Sequence, residues 1–577
     1  MFFCVTTAAA AAIFSDGVIE VLFMKFLTSA ILLSLSLAAA FCAEKPVFKA
    51  GIMSDTHISE KLSSFRLVKP ALELFKDHKV DLVIHMGDFA DVHCPEGYRL
   101  YRKIFNGIYK KNPPQELFVY DGHDAAGHKN REQAFRAMQK NLGNVNAPYA
   151  KLVLKGYTFL VYPYKSDLKR QEKEMTEAVK TSNGRPVFVL DHHPPFGTTA
   201  TSRLWGSRPL RRLADKFPQV IRISGHSHGT LWNERNIWQG KFTSVNAGCL
   251  YNWTGILTGN TAENIKPDGV LIMEVYPGKI LFRRFSVTNK KEIRPEKIWR
   301  IPLPFDEKTA PYSQKNRLRR EKPAEFPEGS IVKINIPSKN IHTVNYTFPQ
   351  AEDVRNCYIY KTELFEGKKR ISRKDYHSSF HQTHPAKEVY ASWSCGFLTP
   401  GKRYRFTATP VNFAGKEGRS LEGFFTAPVF ENGEVRFECS DPLLPGCKVS
   451  TGTSGGKALR KNKDFFRHPG GDVRIEFPRG VWEGAKGTRF RFVIDLETRQ
   501  QPDCQWTLRL RSPRPAWSAH TRMWTMPGNS GIMRYVIDFE KKSTQGELYL
   551  LITESFWGQF KVHSVRIERF SGQKNNK

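Results

Sequence analysis

Val47-Phe48-Lys49-Ala50-Gly51-Ile52-Met53-Ser54-Asp55-Thr56-His57 is the stretch on which the reading of this chain turns. Its apolar-leaning first half predicts a strand. A strand that ends in Asp-x-His sets a carboxylate and an imidazole on the same side of its C-terminal edge, where both reach one divalent cation. A lone triplet of this kind is common by chance and passes equally for a solvated strand end. The residues downstream decide between the two.

From about residue 47 to 290, β-like apolar runs alternate with helical patterns, which predicts an α/β layer. An amphipathic segment over 63–77 leads into a second strand at 80–86, which runs into Gly87-Asp88-Phe89-Ala90-Asp91. A helix around 96–110 and a strand at 116–120 precede the loop Asp121-Gly122-His123-Asp124. After a helix near 132–142, a strand at 157–162 and a charged helix near 167–179, the strand 186–190 opens into Asp191-His192-His193-Pro194-Pro195. The strand 219–224 then leads into Gly225-His226-Ser227-His228, and strands near 242–246, 269–275 and 279–285 close the sheet. Five strands thus deliver Asp, His or Gly-Asp just past their C-terminal ends, where open α/β sheets build their sites. Stray metal-type residues would scatter over both ends and into helices, so the regularity predicts a metal site.

Asp55-x-His57, Gly87-Asp88-x-x-Asp91, the Gly122-His123-Asp124 loop, His192-x-Pro194 and Gly225-His226-x-His228, in this order, resemble the motifs of the calcineurin-like metallophosphoesterase superfamily, and Trp205-Gly206-Ser207 with the segment 217–228 resembles its exported or cell-associated bacterial members. The resemblance implies a four-layer α/β/β/α sandwich rather than one doubly wound sheet. It also implies two divalent metal ions: one held by Asp55, His57 and His228, the other by His192 and His226, with Asp88 bridging. His123 matches the residue that protonates the leaving oxygen, with Asp124 orienting its ring and Asp91 fixing the loop. Two such ions hold a hydroxide between them, polarise a phosphoryl oxygen and neutralise charge during in-line displacement. Mixed imidazole and carboxylate ligands suit Mn, Fe, Zn or Ni better than Mg or Ca.

The chain departs from the family at one place. The family reads Gly-Asn-His-Asp or Gly-Asn-His-Glu, its Asn oxygen completing the second metal, whereas this chain reads Asp121-Gly122-His123-Asp124. Glycine offers no ligand, so the second ion takes water instead, recruits Asp121 after a small loop shift, or is weakly held. Of the other residues near the motifs, alternation in an extended segment turns His193 to the side opposite His192, a structural role. His93 and His128 are candidates for substrate contact but not for metal ligation, and Asp191 supports His192 or shapes its loop.

At 577 residues the chain is too long for one core and calls for about three domains. Its formal net charge of +32 favours polyanionic partners such as nucleic acid, an acidic polysaccharide or an anionic envelope surface, although charge of this kind also serves solubility. Residues 1–43 read as a leader whose true start is Met24. Met24-Lys25, the apolar run 26–37 and the small residues of 38–43 have the order of a secretory signal cleaved between Ala40 and Glu44. Cys42 offers a lipidation site, which the bulky Phe41 disfavours. The protein is therefore expected to be secreted, periplasmic or on the cell surface, with no later membrane span. Of nine cysteines, Cys4 and Cys42 fall in the leader, and the rest are odd in number without a CxxC. Cys439 with Cys447, and Cys357 with Cys395, are candidate pairs.

The organisation expected from these patterns is a catalytic domain over 44–292, a linker over 293–324, a fibronectin type III-like sandwich over 325–428 and a jelly-roll-like sandwich over 429–577. Trp299, Ile301, Leu303 and Phe305 would be costly in water, so the linker should pack on the catalytic domain, while the run Arg317-Leu318-Arg319-Arg320 reads as solvated. The second domain's resemblance rests on Leu398-Thr399-Pro400-Gly401-x-x-Tyr404, whose Tyr would lock a corner, followed by Val411-Asn412-Phe413-Ala414-Gly415. In the last domain Trp482, Trp517, Trp524 and Trp557 are candidates for stacking on sugar rings, and Arg509, Arg511, Arg514 and Arg522 for anion contacts, although such tryptophans also fill cores.

Function is expected to be exported phosphoesterase activity on a phosphomonoester or phosphodiester, with the sandwiches holding glycan or envelope surface. The rival reading is a catalytically degenerate relative that only binds. A nuclease is disfavoured, because the sequence contains no dedicated nucleic-acid module.

Overall fold

The structure is a computed structural model. It describes residues 44–58, 65–90, 95–143, 145–251, 268–336, 343–382, 384–394, 398, 401–427, 433–440, 444–451, 461–462, 465–467, 471–499, 505–511, 522–527, 529–541, 547–554 and 559–570. The expected leader, Asp91, His93, Cys94, Cys395, Cys504, Arg514, Trp517 and Trp557 lie outside them, as do the side chains of Trp524, Arg509, Arg511 and Arg522. Among the described residues no helix is long and apolar enough to cross a membrane.

Two mixed sheets face each other in the first part of the chain. In the first sheet β1 (Phe48–Met53) runs parallel to β2 (Leu82–His85), and β2 parallel to β3 (Gln115–Phe118). The second contains β4 (Ala150–Leu154), β5 (Tyr157–Tyr162), β6 (Val187–Asp191), β7 (Val220–Ser224), β8 (Ile237–Gln239) and β9 (Thr243–Asn246), with β5, β6, β7 and β9 parallel in turn. Antiparallel β10 (Gly269–Tyr276), β11 (Lys279–Ser286), β12 (Lys291–Ile293) and β13 (Trp299–Pro302) complete the first sheet beside β1.

Alternation along the strands explains the layering. Ala50, Ile52, Leu82 and Ile84 point inward to meet Phe159, Phe188, Leu190 and Ile223 of the other sheet, one core shared by both. On the outer face Met53, Val83 and Phe118 pack under helices α1 (Phe65–Asp77), α2 (Pro95–Ile108) and, beyond the short α3 (Gly122–Ala125), α4 (Arg131–Leu142). On the far side Leu160, Tyr162, Val187 and Val189 pack under Met175 and Ala178 of α5 (Leu168–Thr181). The result is the four-layer α/β/β/α arrangement. Because the parallel strands of both sheets end on one edge, the loops after β1, β2, β3, β6 and β7 gather there.

The segment after β12 is part of this domain rather than a solvated strap. Strand β13 extends the first sheet against β11, and Trp299 is fully buried with its Nε1–H donating to Glu234 Oε2 at 2.9 Å. Arg317 of the helix Gln314–Arg320 contradicts the solvated reading. It is buried, and its Nη2 donates to the Glu234 and Ile237 carbonyls at 2.8 Å each, backbone acceptors that the linear sequence gives no sign of.

Beyond it, a three-stranded and a four-stranded antiparallel sheet enclose a core that includes Tyr346, Tyr360, Tyr404 and Phe406. A six-stranded and a five-stranded antiparallel sheet then share the last core. Trp482 belongs to that core, 1% exposed against Phe477, Phe490 and Phe539, so it is not a sugar platform. The candidate pairing of Cys439 with Cys447 does not form: both are free thiols, as are Cys249 and Cys357.

Candidate dinuclear metal centre

Asp55 and His57 follow β1, Asp88 follows β2, His192 follows β6, and His226 and His228 follow β7. The two facing sheets bring them together in two groups. Asp55, His57, Asp88 and His228 place one donor atom each within 4.8 Å of one another, and Asp88, His192 and His226 do the same. Asp88 is common to both groups, and every member except half-buried His226 is buried.

The local backbone is bent to achieve this. Asp55, His57, Asp88, His226 and His228 all adopt left-handed φ, between 40° and 64°. For residues with a Cβ that conformation costs roughly 1 kcal/mol or more apiece, and such strain gathers where function requires it. The motif glycines serve close approach. A Cβ on Gly225 would stand 2.0 Å from Ser54 Oγ and 2.6 Å from Asp55 Oδ2, and one on Gly87 (φ 97°) would stand 2.6 Å from His192 Nδ1.

Hydrogen bonds fix the donors. Ser54 Oγ donates to Asp55 Oδ2 at 2.5 Å, and the His226 N–H donates to the same carboxylate at 3.1 Å. His192 Nδ1 lies 2.6 Å from the Met86 carbonyl, so it carries the proton and turns Nε2 toward Asp88 Oδ2 at 3.2 Å, with Asp55 Oδ1 and Asp121 Oδ2 each at 3.7 Å. His228 Nε2 lies 3.1 Å from Asp55 Oδ1, and His57 Nε2 3.8 Å from Asp88 Oδ2.

Charge follows from this packing. Burial alone would depress His192, but Asp121, Asp88 and Asp55 outweigh it and hold the imidazole well above its usual range. Burial also opposes ionisation of Asp55, yet His228, His192 and His57 keep its carboxyl well below the ordinary carboxylate range. His57 moves the other way, lowered to about 4 by burial against the pull of Asp88 and Asp55. The cluster is built around carboxylates that require positive charge. Mixed imidazole and carboxylate donors converging in two groups are the donor set that divalent transition metals take, so the residues fit a dinuclear site.

His123, on α3, is exposed beside this cluster. Its ring centroid is 4.7 Å from that of His57, and its backbone N–H donates to Asp88 Oδ1 at 3.4 Å. Asp124, expected to orient that ring, anchors the backbone around it. Its buried carboxylate accepts from the backbone N–H groups of Phe89, Ala90 and Asp121 and from the Tyr98 hydroxyl, at 3.0–3.4 Å. It therefore ties the Asp88 loop to the Asp121 loop, and burial together with Asp88 pushes it up to about 7.

His193 also differs from expectation. Strand β6 ends at Asp191, so alternation does not carry past it, and His193 turns toward the site. Its ring lies 4.0 Å from that of His226 and stacks on Tyr164, and its Nδ1 is 3.5 Å from Asp121 Oδ1. Asp191 accepts from the His193 N–H and faces buried Arg222. His128 sits partly exposed in the turn after α3.

Two neighbours were not anticipated. Tyr251 packs its ring 4.6 Å from that of His57, and no local pattern marks it in the sequence. His85 is fully buried, its Nε2 3.0 Å from Thr56 Oγ1, which itself donates to the Phe89 carbonyl. Its place just before Gly87-Asp88 is the signal that was available.

Residues 48–230 match the family model of calcineurin-like phosphoesterases. With the buried Asp/His cluster, this makes the segment a calcineurin-like metallophosphoesterase domain. The chain is similar to a dimetal phosphatase from Danio rerio, at 11% identity and a TM-score of 0.29, over 43% of this chain and 99% of that one. It is similar to purple acid phosphatase PPD1 from yellow lupin (Lupinus luteus) seeds, at 14% identity and a TM-score of 0.32, over 44% of this chain and 53% of that one. A third likeness is to the CBM22-1 xylan-binding domain of Paenibacillus barcinonensis Xyn10C, at 9% identity and a TM-score of 0.14, over 25% of this chain and all of that one. No curated protein matches the chain.

Proposed function

We propose that this protein is an exported dinuclear-metal phosphoesterase that hydrolyses phosphomonoester or phosphodiester bonds, with its C-terminal sandwiches holding acidic polysaccharide or cell-envelope surface. The observation that carries the catalytic reading is the pair of donor groups sharing Asp88. Asp55, His57, Asp88 and His228 would hold one ion, and His192, His226 and Asp88 the other. When bound, such ions supply Lewis acidity toward the phosphoryl oxygens and an acidified water. The chain's own contribution is positional. Asp88 is held by the His123 N–H, and Asp55 by Ser54 and the His226 N–H, so the donors converge before substrate arrives. His123, exposed at the lip, is placed to give an imidazole proton to the leaving oxygen as its bond to phosphorus breaks and the water oxygen bonds to phosphorus.

The surface-binding part of the proposal is supported by the formal charge of +32. Release of nitrophenol from aryl phosphate mono- and diesters by metal-loaded protein tests the catalytic part. Activity is expected in the wild type and should fall to background in Asp88→Ala; undiminished turnover in that variant removes Asp88 from the mechanism.

A further inference from the structure

The two donor groups are unequal: Asp55, His57, Asp88 and His228 make four ligands, whereas Asp88, His192 and His226 make three. Gly122, where the family places its amide ligand, offers no side chain. Directly before it stands Asp121, which is 2% exposed. Its Oδ2 is 3.7 Å from His192 Nε2, and its Oδ1 makes no hydrogen bond, with His193 Nδ1 3.5 Å away. A carboxylate buried this deeply is costly unless positive charge meets it. Asp55 and Asp88 already face the same His192, so Asp121 adds a third carboxylate to one imidazole edge.

We infer that Asp121 supplies the fourth protein ligand of the second ion, replacing the amide that Gly122 lacks, and that His193 positions it. This rests on the dinuclear reading above. Asp121 stands outside the group whose donors lie within 4.8 Å of one another, so from its place 3.7 Å from His192 Nε2 it reaches the ion by a small loop shift. The Asp121 N–H is tied to Asp124 Oδ2 at 3.4 Å, and Asp124 is tied in turn to the loop that carries Asp88, so Asp121 and Asp88 move as one piece. His193, stacked on Tyr164, stands behind Asp121 as the outer partner that holds a ligand in place. An anionic ligand in place of a neutral amide also gives the second ion more negative charge than the family pattern does.

The test is metal binding, read without turnover. Metal-depleted full-length protein is titrated with Mn2+ by calorimetry, and the spin coupling of paired ions is followed by electron paramagnetic resonance. Wild type should bind two ions per chain with a coupled signal. Asp121→Ala should keep the first ion within twofold of wild-type affinity, weaken the second by about 10–100-fold and lose the coupled signal. The retained first ion shows that the fold survives. Should Asp121→Ala fail to fold, Asp121→Asn keeps the volume and an oxygen, and its lost charge should still weaken the second ion by about tenfold. Adding Gly122→Asn to Asp121→Ala should restore the second ion, since the nearest atoms a Cβ at Gly122 would meet are those of Tyr164, no closer than 3.6 Å. Two ions bound by Asp121→Ala at wild-type affinity overturn the assignment and leave the dinuclear reading intact. Fewer than two ions in the wild type overturn both.

Discussion

Glu234→Gln is the perturbation whose consequence can be worked furthest from the structure. Glu234 is buried, and its Oε1 accepts from Arg284 Nη1 at 2.9 Å with Arg294 Nη1 at 3.5 Å, while its Oε2 accepts from Trp299 Nε1 at 2.9 Å. Gln keeps the shape but removes the charge, leaving the fully buried Arg284 guanidinium without its counter-ion. Breaking a buried pair from one side costs about 3–5 kcal/mol. Arg284 also donates to the Leu231 and Lys297 carbonyls, which argues for the lower end.

The titration of Glu234 leads to the same size. Burial opposes its ionisation, but Arg284, Lys297 and Arg294 prevail and lower it from 4.5 to about 2. At 1.36 kcal/mol per unit that is on the order of 3 kcal/mol. A depressed carboxylate contributes stability that is fully present above its unfolded value of 4.5 and is lost as pH falls toward 2. Urea unfolding of wild type and Glu234→Gln at pH 7, 5, 4 and 3 checks this. The difference should be about 3 kcal/mol at pH 7 and 5, and should shrink at pH 4 and again at pH 3. A gap under about 0.5 kcal/mol at pH 7, or one that stays constant down to pH 3, refutes the reasoning.

Other outcomes follow from the same contacts. Gly225→Ala puts a Cβ 2.0 Å from Ser54 Oγ and 2.6 Å from Asp55 Oδ2, so it should displace Asp55 and weaken the first ion, measured by metal content after dialysis. His123→Ala should slow hydrolysis of alkyl phosphates by about 10²–10⁴-fold and of nitrophenyl esters far less, because a good leaving group needs no proton; equal losses on both exclude a general acid. Trp482→Ala should destabilise the last domain by about 3–5 kcal/mol in a thermal melt. If the melt is unchanged but glycan binding is lost, Trp482 acts at a surface and not in the core.

Much of the site was legible before folding was considered, because parallel strands put their C-terminal ends on one edge. Asp55, His57, Asp88, His192, His226 and His228 could each be picked out as a residue just past a strand, and the order of motifs pointed to paired sheets. What strand periodicity cannot say is how the chain turns once the strand stops. His193 follows His192 outside β6 and so escapes the alternation that would have turned it away. Asp124 neighbours His123 in sequence, yet one turn of α3 buries it against Phe89, Ala90 and Tyr98. Arg317 lies in a basic run that reads as solvated until β8 and the residues before it present their carbonyls.

The sequence by itself determined the fold class and which residue types crowd one sheet edge, since hydrophobic period and strand-end position are local properties. Only the tertiary structure decided that two donor groups share Asp88, that five of the candidate donors take left-handed backbone, and that Asp121 faces His192 from across the gap. Those depend on distances between residues tens to hundreds of positions apart, which packing of the shared core sets and no local pattern encodes.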